Sequence, residues 1–211
     1  MRDLPEMNVG VLARLGQMLL GWGSVGLAYG LASIVMGAPT VLPITPLDRM
    51  IPFSASAVWI YLSFFVLIPT TYLYVDAARL GWLRRSMQLA AMISGAVFLL
   101  WPTTLIYPVV HGTGASVTLL RWLTAADSPQ NCLPSLHGAL TLLCVWALCD
   151  RRQPWRSAAA LAAGLAIGVS IIALRRHLSI DLGAGIAVGV CCGLACRTHF
   201  ARHEQSLELV R

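Results

Sequence analysis

Two short stretches carry the side chains most able to do chemistry. The first is Asn131-Cys132-Leu133-Pro134-Ser135-Leu136-His137 and the second, forty residues on, is Arg175-Arg176-His177-Leu178-Ser179-Ile180-Asp181. His177 and Asp181 are four apart and share one face of a helix. A carboxylate there holds the imidazole in one tautomer and stabilises its cation, leaving the other ring nitrogen as a nucleophile. Ser135 after Pro134 is a helix start, and the amides of such a start make an anion site, with His137 on the first turn. Arg175 and Arg176 have the planar fork that clamps phosphate. Each feature also has a plain structural reading: a capping Ser with an interfacial His, a His–Asp pair anchoring a helix end, and two Arg snorkelling at a span end.

The elements that position these residues belong to a membrane protein. Of 211 residues, 57% are hydrophobic and 11% charged, with a mean hydropathy of +0.73. Soluble domains carry about 25% charged residues and need polar cover, so a soluble globule is excluded. All fifteen basic residues are Arg, placed singly or in small clusters between apolar runs, which excludes a nucleic-acid module and matches the flanks of spans. The six Cys show no CxxC spacing; five sit in or beside apolar runs, and neither zinc nor a disulfide framework is expected. Met1–Asn8 runs into a long apolar stretch without a cleavage site, and that stretch reads as a retained span.

Six stretches approach the roughly 20 apolar residues of a span: Val11–Met36, Ser54–Tyr74, Met87–Tyr107, His137–Cys149 (short), Ser157–Leu174 and Leu178–Cys196. Pro69 and Pro102 fall inside spans. The predicted fold is all-α: a single membrane domain over residues 1–211, a polytopic six-helix bundle. Eleven Arg lie in the termini and the second and fourth loops (Arg2, Arg14, Arg79, Arg84, Arg85, Arg151, Arg152, Arg156, Arg197, Arg202 and Arg211). Four lie in the other loops (Arg49, Arg121, Arg175 and Arg176). That asymmetry places both termini in the cytoplasm. The long third loop, Pro108–Leu136, faces outward and holds an interfacial stretch, Val117–Leu123. Both chemical clusters then meet at the outer face. Asp181 is the one acidic residue placed inside a span, and a lone carboxylate there is costly. His111 is a bystander in the outer loop, and His199 and His203 fall in the charged C-terminal tail.

Asn131-x-x-Pro134-Ser135-x-His137 followed by His177-x-x-x-Asp181 resembles the type 2 phosphatidic acid phosphatase superfamily. The stretches Asp127–His137, Leu47–Phe53 and Trp59–Ser63 are most similar to its inositol-phosphorylceramide-synthase-like branch. The resemblance covers roughly residues 47–189. It implies a six-helix membrane fold with a metal-free, cofactor-free site at the outer end. His177 would attack phosphorus, Asp181 would orient it, and His137 would protonate the leaving oxygen. Ser135, Asn131 and nearby amides would hold phosphate oxygens. Two cations of the family pattern are absent: Tyr107 stands where the first motif has Arg, and Ile171 follows Ser170 where the third motif has Arg. Arg175 and Arg176 are the candidate replacements.

The expected function is therefore a membrane lipid-phosphate phosphatase acting through a phosphohistidine. The alternatives are a phosphotransferase that moves a phospho-head group onto a lipid alcohol, and a non-catalytic lipid-binding or transport protein. The expected partners are lipid phosphates and membrane lipids, not nucleic acid. The expected location is a bacterial inner membrane, with the site facing the periplasm or exterior.

Overall fold

The computed structural model describes residues 9–34, 38–126 and 130–208, with side chains to residue 197. Met1–Asn8, Met36, Asp127-Ser128-Pro129 and Arg211 lie outside the described residues, as do the side chains of His199, Arg202 and His203. Among the described residues the fold is all-helical apart from a two-residue parallel strand pair. The helices are α1 (Val11–Ile34), α2 (Pro46–Met50), α3 (Val58–Tyr74), α4 (Ala77–Leu100), α5 (Ala115–Ala126), α6 (Leu136–Leu148), α7 (Pro154–Ala173) and α8 (Ser179–Glu208). Four helical stretches among the described residues are long and apolar enough to cross a membrane: Val11–Ile34, Ala55–Tyr74, Pro154–Ala173 and Ser179–Arg197.

The third predicted span is displaced. Its helix, α4, begins at Ala77, ten residues before Met87, and stops at Leu100. Pro102 therefore lies after the helix and not inside it, because a proline cannot continue an amide ladder. Trp101–Tyr107 is extended instead: Thr103 and Thr104 (β2) pair with Thr40 and Val41 (β1). The early start went unseen because Arg79, Arg84 and Arg85 dilute the first turns. α6 has 13 residues, about 20 Å at the usual helical rise, short of the roughly 30 Å of a hydrocarbon core. The apolar stretch Val117–Leu123 of the third loop falls within α5.

Arginines close one end of the bundle. Arg14 on α1 donates to the carbonyls of Tyr72 and Val75 at the end of α3. Arg79 donates to Ala147 and Cys149 at the end of α6, and Arg156 to Leu148 and Tyr74. Cations satisfy orphan carbonyls at helix C-termini where the macrodipole favours them. The ends of α6 and α7 that carry the chemical clusters lie at the opposite end.

α6 is the central helix, packed by α3, α4, α7 and α8. Its contact with α8 is close because three glycines recur every fourth residue on α8. A Cβ at Gly185 would overlap the Ser135 carbonyl, one at Gly189 would sit 2.9 Å from the Ala139 oxygen, and one at Gly193 would press on Trp146. Small-residue stripes of this kind let helix backbones approach in a bilayer.

Candidate active site

The corner between α7 and α8 sets His177. α7 ends in a Schellman motif: Arg176 N donates to the Ile171 carbonyl and Arg175 N to that of Ile172. The left-handed position at such a corner is usually Gly, yet here Arg175 takes it, with φ +53°. Its guanidinium explains the choice. It donates to the carbonyls of Ile172, Asp48 and Ile51, tying the segment around α2 to the corner. Arg175 is thus engaged by backbone, whereas the sequence pointed it at phosphate.

Two carboxylates cap the start of α8. Asp181 Oδ1 accepts from Leu178 N at 2.6 Å, the reach-back of a capping box. Asp48 Oδ1 accepts from Ser179 N at 2.7 Å, and its other oxygen accepts from Thr45 N and Oγ1. Burial pushes the Asp48 carboxyl up, but these hydrogen bonds outweigh it and hold the group below its ordinary value. Sequence reasoning gave Asp48 no role. The Thr45-x-x-Asp48 spacing was the available signal, since it is a capping box for α2.

The start of α6 is held by Thr103, which is fully buried. Its amide donates to the Gln130 carbonyl, its carbonyl accepts from Cys132 N, and its hydroxyl accepts from Leu133 N. Ser135 then caps α6, accepting from Gly138 N. Ser135 N donates to the Asp181 carbonyl at 2.9 Å, which locks the start of α6 to the first turn of α8.

That lock brings the two histidines together. His177 Nδ1 lies 2.7 Å from Asp181 Oδ2, and His177 Nε2 lies 3.3 Å from His137 Nδ1. His137 Nε2 is 2.8 Å from the Tyr61 hydroxyl. His137 is 9% exposed, His177 4% and Asp181 0%. Since a carboxylate only accepts, the Asp181 contact assigns the proton to His177 Nδ1 and leaves Nε2 as the lone-pair nitrogen of the neutral ring. The pair thus sets a lone-pair nitrogen 3.3 Å from a second imidazole that can hold or give a proton.

No family model, curated protein or solved structure matches this chain.

Two cavities flank α5 beside the pair. One, of about 450 Å³, runs between α1, α3 and α6 and is almost wholly apolar; His137 lies in its wall with Trp22, Tyr29, Tyr61 and Phe65. The other, of about 340 Å³, is lined by Arg121, Thr124, Tyr107 and Arg176 among others. Arg176 is buried, lies over the Tyr107 ring at 5.1 Å and reaches Thr124 Oγ1 at 3.4 Å. Tyr107 thus supports an Arg from another element. Ile171 is buried in the apolar core, and Ser170 Oγ bonds back to the Ile167 carbonyl. Asn131 is buried, and its amide nitrogen has no hydrogen-bond partner, an open donor on the segment that leads into α6. Among the described residues no three His, Cys, Asp or Glu side chains converge as a metal-ligand set.

Of the residues singled out by sequence, His137, His177, Asp181 and Ser135 meet at one point. Arg176 lines the adjoining cavity and Arg175 turns to backbone. Tyr61 was missed. Nothing local marks it, because its partner lies 76 residues away.

Proposed function

We propose that the chain is a lipid-phosphate phosphatase that works through a phosphohistidine on His177. One observation carries the reading: a His–His–Asp array meets an apolar cavity at His137, so a candidate phosphoryl site and a hydrocarbon seat adjoin. The array accords with the resemblance to the type 2 phosphatidic acid phosphatase superfamily. In the first half-reaction the His177 Nε2 lone pair bonds to phosphorus. The P–O bond to the lipid breaks, and the lipid oxygen takes a proton from His137 Nδ1. Water then gives His137 a proton as its oxygen displaces the nitrogen. The open Asn131 amide and buried Arg176 supply donors for phosphoryl oxygens.

In this reading α1, α3, α4, α6, α7 and α8 are six spans, and the extended lead-in Asn131–Ser135 carries the short α6 toward the surface. The arginine-closed end faces the cytoplasm by the positive-inside rule, and the site faces outward, in a bacterial inner membrane to the periplasm.

The test is phosphate release by the purified protein in detergent from a panel of long-chain lipid phosphates, with His177→Ala beside it and with and without chelator. Chelator-resistant release that the variant loses is expected. Release by His177→Ala at the wild-type rate contradicts the proposal. A second reading, transfer of a phospho-head group to a lipid alcohol, is favoured by the separate Arg121–Arg176 cavity, which offers a polar group its own seat. It predicts a phosphodiester that forms only when the alcohol is present. Silence in both assays leaves the non-catalytic lipid binder.

A further inference from the structure

We infer that Tyr61 is a positioning residue for His137, presenting its Nδ1 to the phosphoryl site in both protonation states; the inference deepens the phosphohistidine reading and rests on it. The hydrogen-bond chain dictates the roles. Asp181 takes the His177 Nδ1 proton, so His177 Nε2 accepts, and the 3.3 Å contact requires His137 to donate from Nδ1. A neutral His137 that donates from Nδ1 carries a lone pair on Nε2. The Tyr61 hydroxyl at 2.8 Å is the donor that meets it. The ring is held in place as well: Phe64 packs at 4.7 Å and Tyr61 at 5.2 Å between centroids.

The partners of the two histidines differ in what they can do. A carboxylate on His177 only accepts, which suits a ring that keeps its Nδ1 proton through the whole cycle. His137 must be cationic when the lipid oxygen leaves and neutral when water attacks. On binding substrate it takes one proton from solvent at Nε2, and the Tyr61 hydroxyl turns from donor to acceptor. Nδ1–H then goes to the lipid oxygen as the P–O bond breaks. Nδ1 regains a proton from water as the P–N bond breaks. A phenol serves both states without adding charge to a buried pocket, where a second carboxylate would need its own compensation. Among the described residues the titratable and charged groups around His137 are Tyr29 on α1, Tyr61 on α3, and Arg176, His177 and Asp181 at the α7–α8 corner.

The experiment has two arms. In the first, nitrogen NMR of histidine-labelled full-length protein in micelles reads the His137 tautomer without turnover. The Nδ1–H form is expected in the wild type and a mixture of tautomers in Tyr61→Phe. In the second, the pH–rate profile is recorded with a lipid phosphate that the wild type hydrolyses. Tyr61→Phe should lower kcat about 10- to 100-fold with KM changed less than about threefold. Difluorotyrosine at position 61, which alters phenol acidity at nearly constant size, should move the limb of the profile that His137 sets. Wild-type tautomer and profile in Tyr61→Phe overturn the inference. If Tyr61→Phe does not fold, an unmoved limb with difluorotyrosine overturns it equally. A wild type without activity defeats the enzymatic reading, while the NMR arm still decides the Tyr61–His137 contact.

Discussion

The two sides of α6 are built on opposite principles. Along the glycine stripe of α8 the packing is close: Gly185, Gly189 and Gly193 each bring backbone against α6, and Ser135 N is bonded to the Asp181 carbonyl. Toward α1 there is a cavity of about 450 Å³, and Gly23 and Gly26 in its wall have nothing within 4 Å of where a Cβ would stand. Glycine thus does two different jobs in one bundle. On the tight side it fixes the separation of His137 and His177; on the loose side it leaves space. In the proposed reading the site holds two rings at one distance and also admits bulky hydrocarbon, and it needs both arrangements because preorganised geometry and ligand room cannot share a wall.

Gly185→Val should be the most damaging, because the clash is with Ser135 backbone, whose carbonyl carbon and Cα would lie 2.8 and 3.1 Å away. Overpacking of that kind costs about 1–3 kcal/mol or more, so a lower melting temperature in detergent and a collapse of activity are expected together. Next is Arg175→Ala, which keeps the left-handed strain and deletes three carbonyl contacts. Arg175→Gly deletes the same contacts but relieves the strain, so it should melt above Arg175→Ala by the equivalent of roughly 1 kcal/mol. Equal melting of the two would remove the strain from the account.

Asp48→Asn should destabilise at neutral pH and cease to differ from wild type in acid. The folded carboxyl lies below its ordinary value, so its contribution is present above that value and vanishes as pH falls through the lowered one. Melting temperatures of the two proteins should therefore stay apart down to about pH 4 and draw together only below it, as the carboxyl takes up its proton. Gly26→Leu on the loose side should leave the melting temperature nearly unchanged. It should raise KM for long-chain lipid phosphates while leaving a short-chain soluble phosphate unaffected. An equal loss on both substrates would mean that the cavity does not seat the tail.

The legible part of the site was what helix periodicity reports. His177 and Asp181 four apart, and Ser135 opening a helix with His137 on its first turn, can be read from spacing alone. The α8 glycines also recur every fourth residue in the sequence, but their target, the Ser135 carbonyl, belongs to another helix. The backbone contacts of Arg175 were unreadable for the same reason: two of the carbonyls it meets are more than 120 residues away. The fold was legible wherever a helix is apolar throughout. It was obscured at α4, where Arg79 is satisfied by the end of α6 and hydropathy alone cannot see that pairing. Tyr61 looks like any aromatic of an apolar helix until α3 and α6 are laid together.

The most direct test is to trap the phosphoenzyme. Full-length protein in detergent would be mixed briefly with a ³²P-labelled lipid phosphate that wild type turns over, quenched in alkali and digested. The account predicts an acid-labile, alkali-stable label on the peptide containing His177, absent from His177→Ala and increased in His137→Ala if the second half-reaction is slowed more than the first. Turnover by wild type with no label on that peptide, or label that survives in His177→Ala, would contradict it.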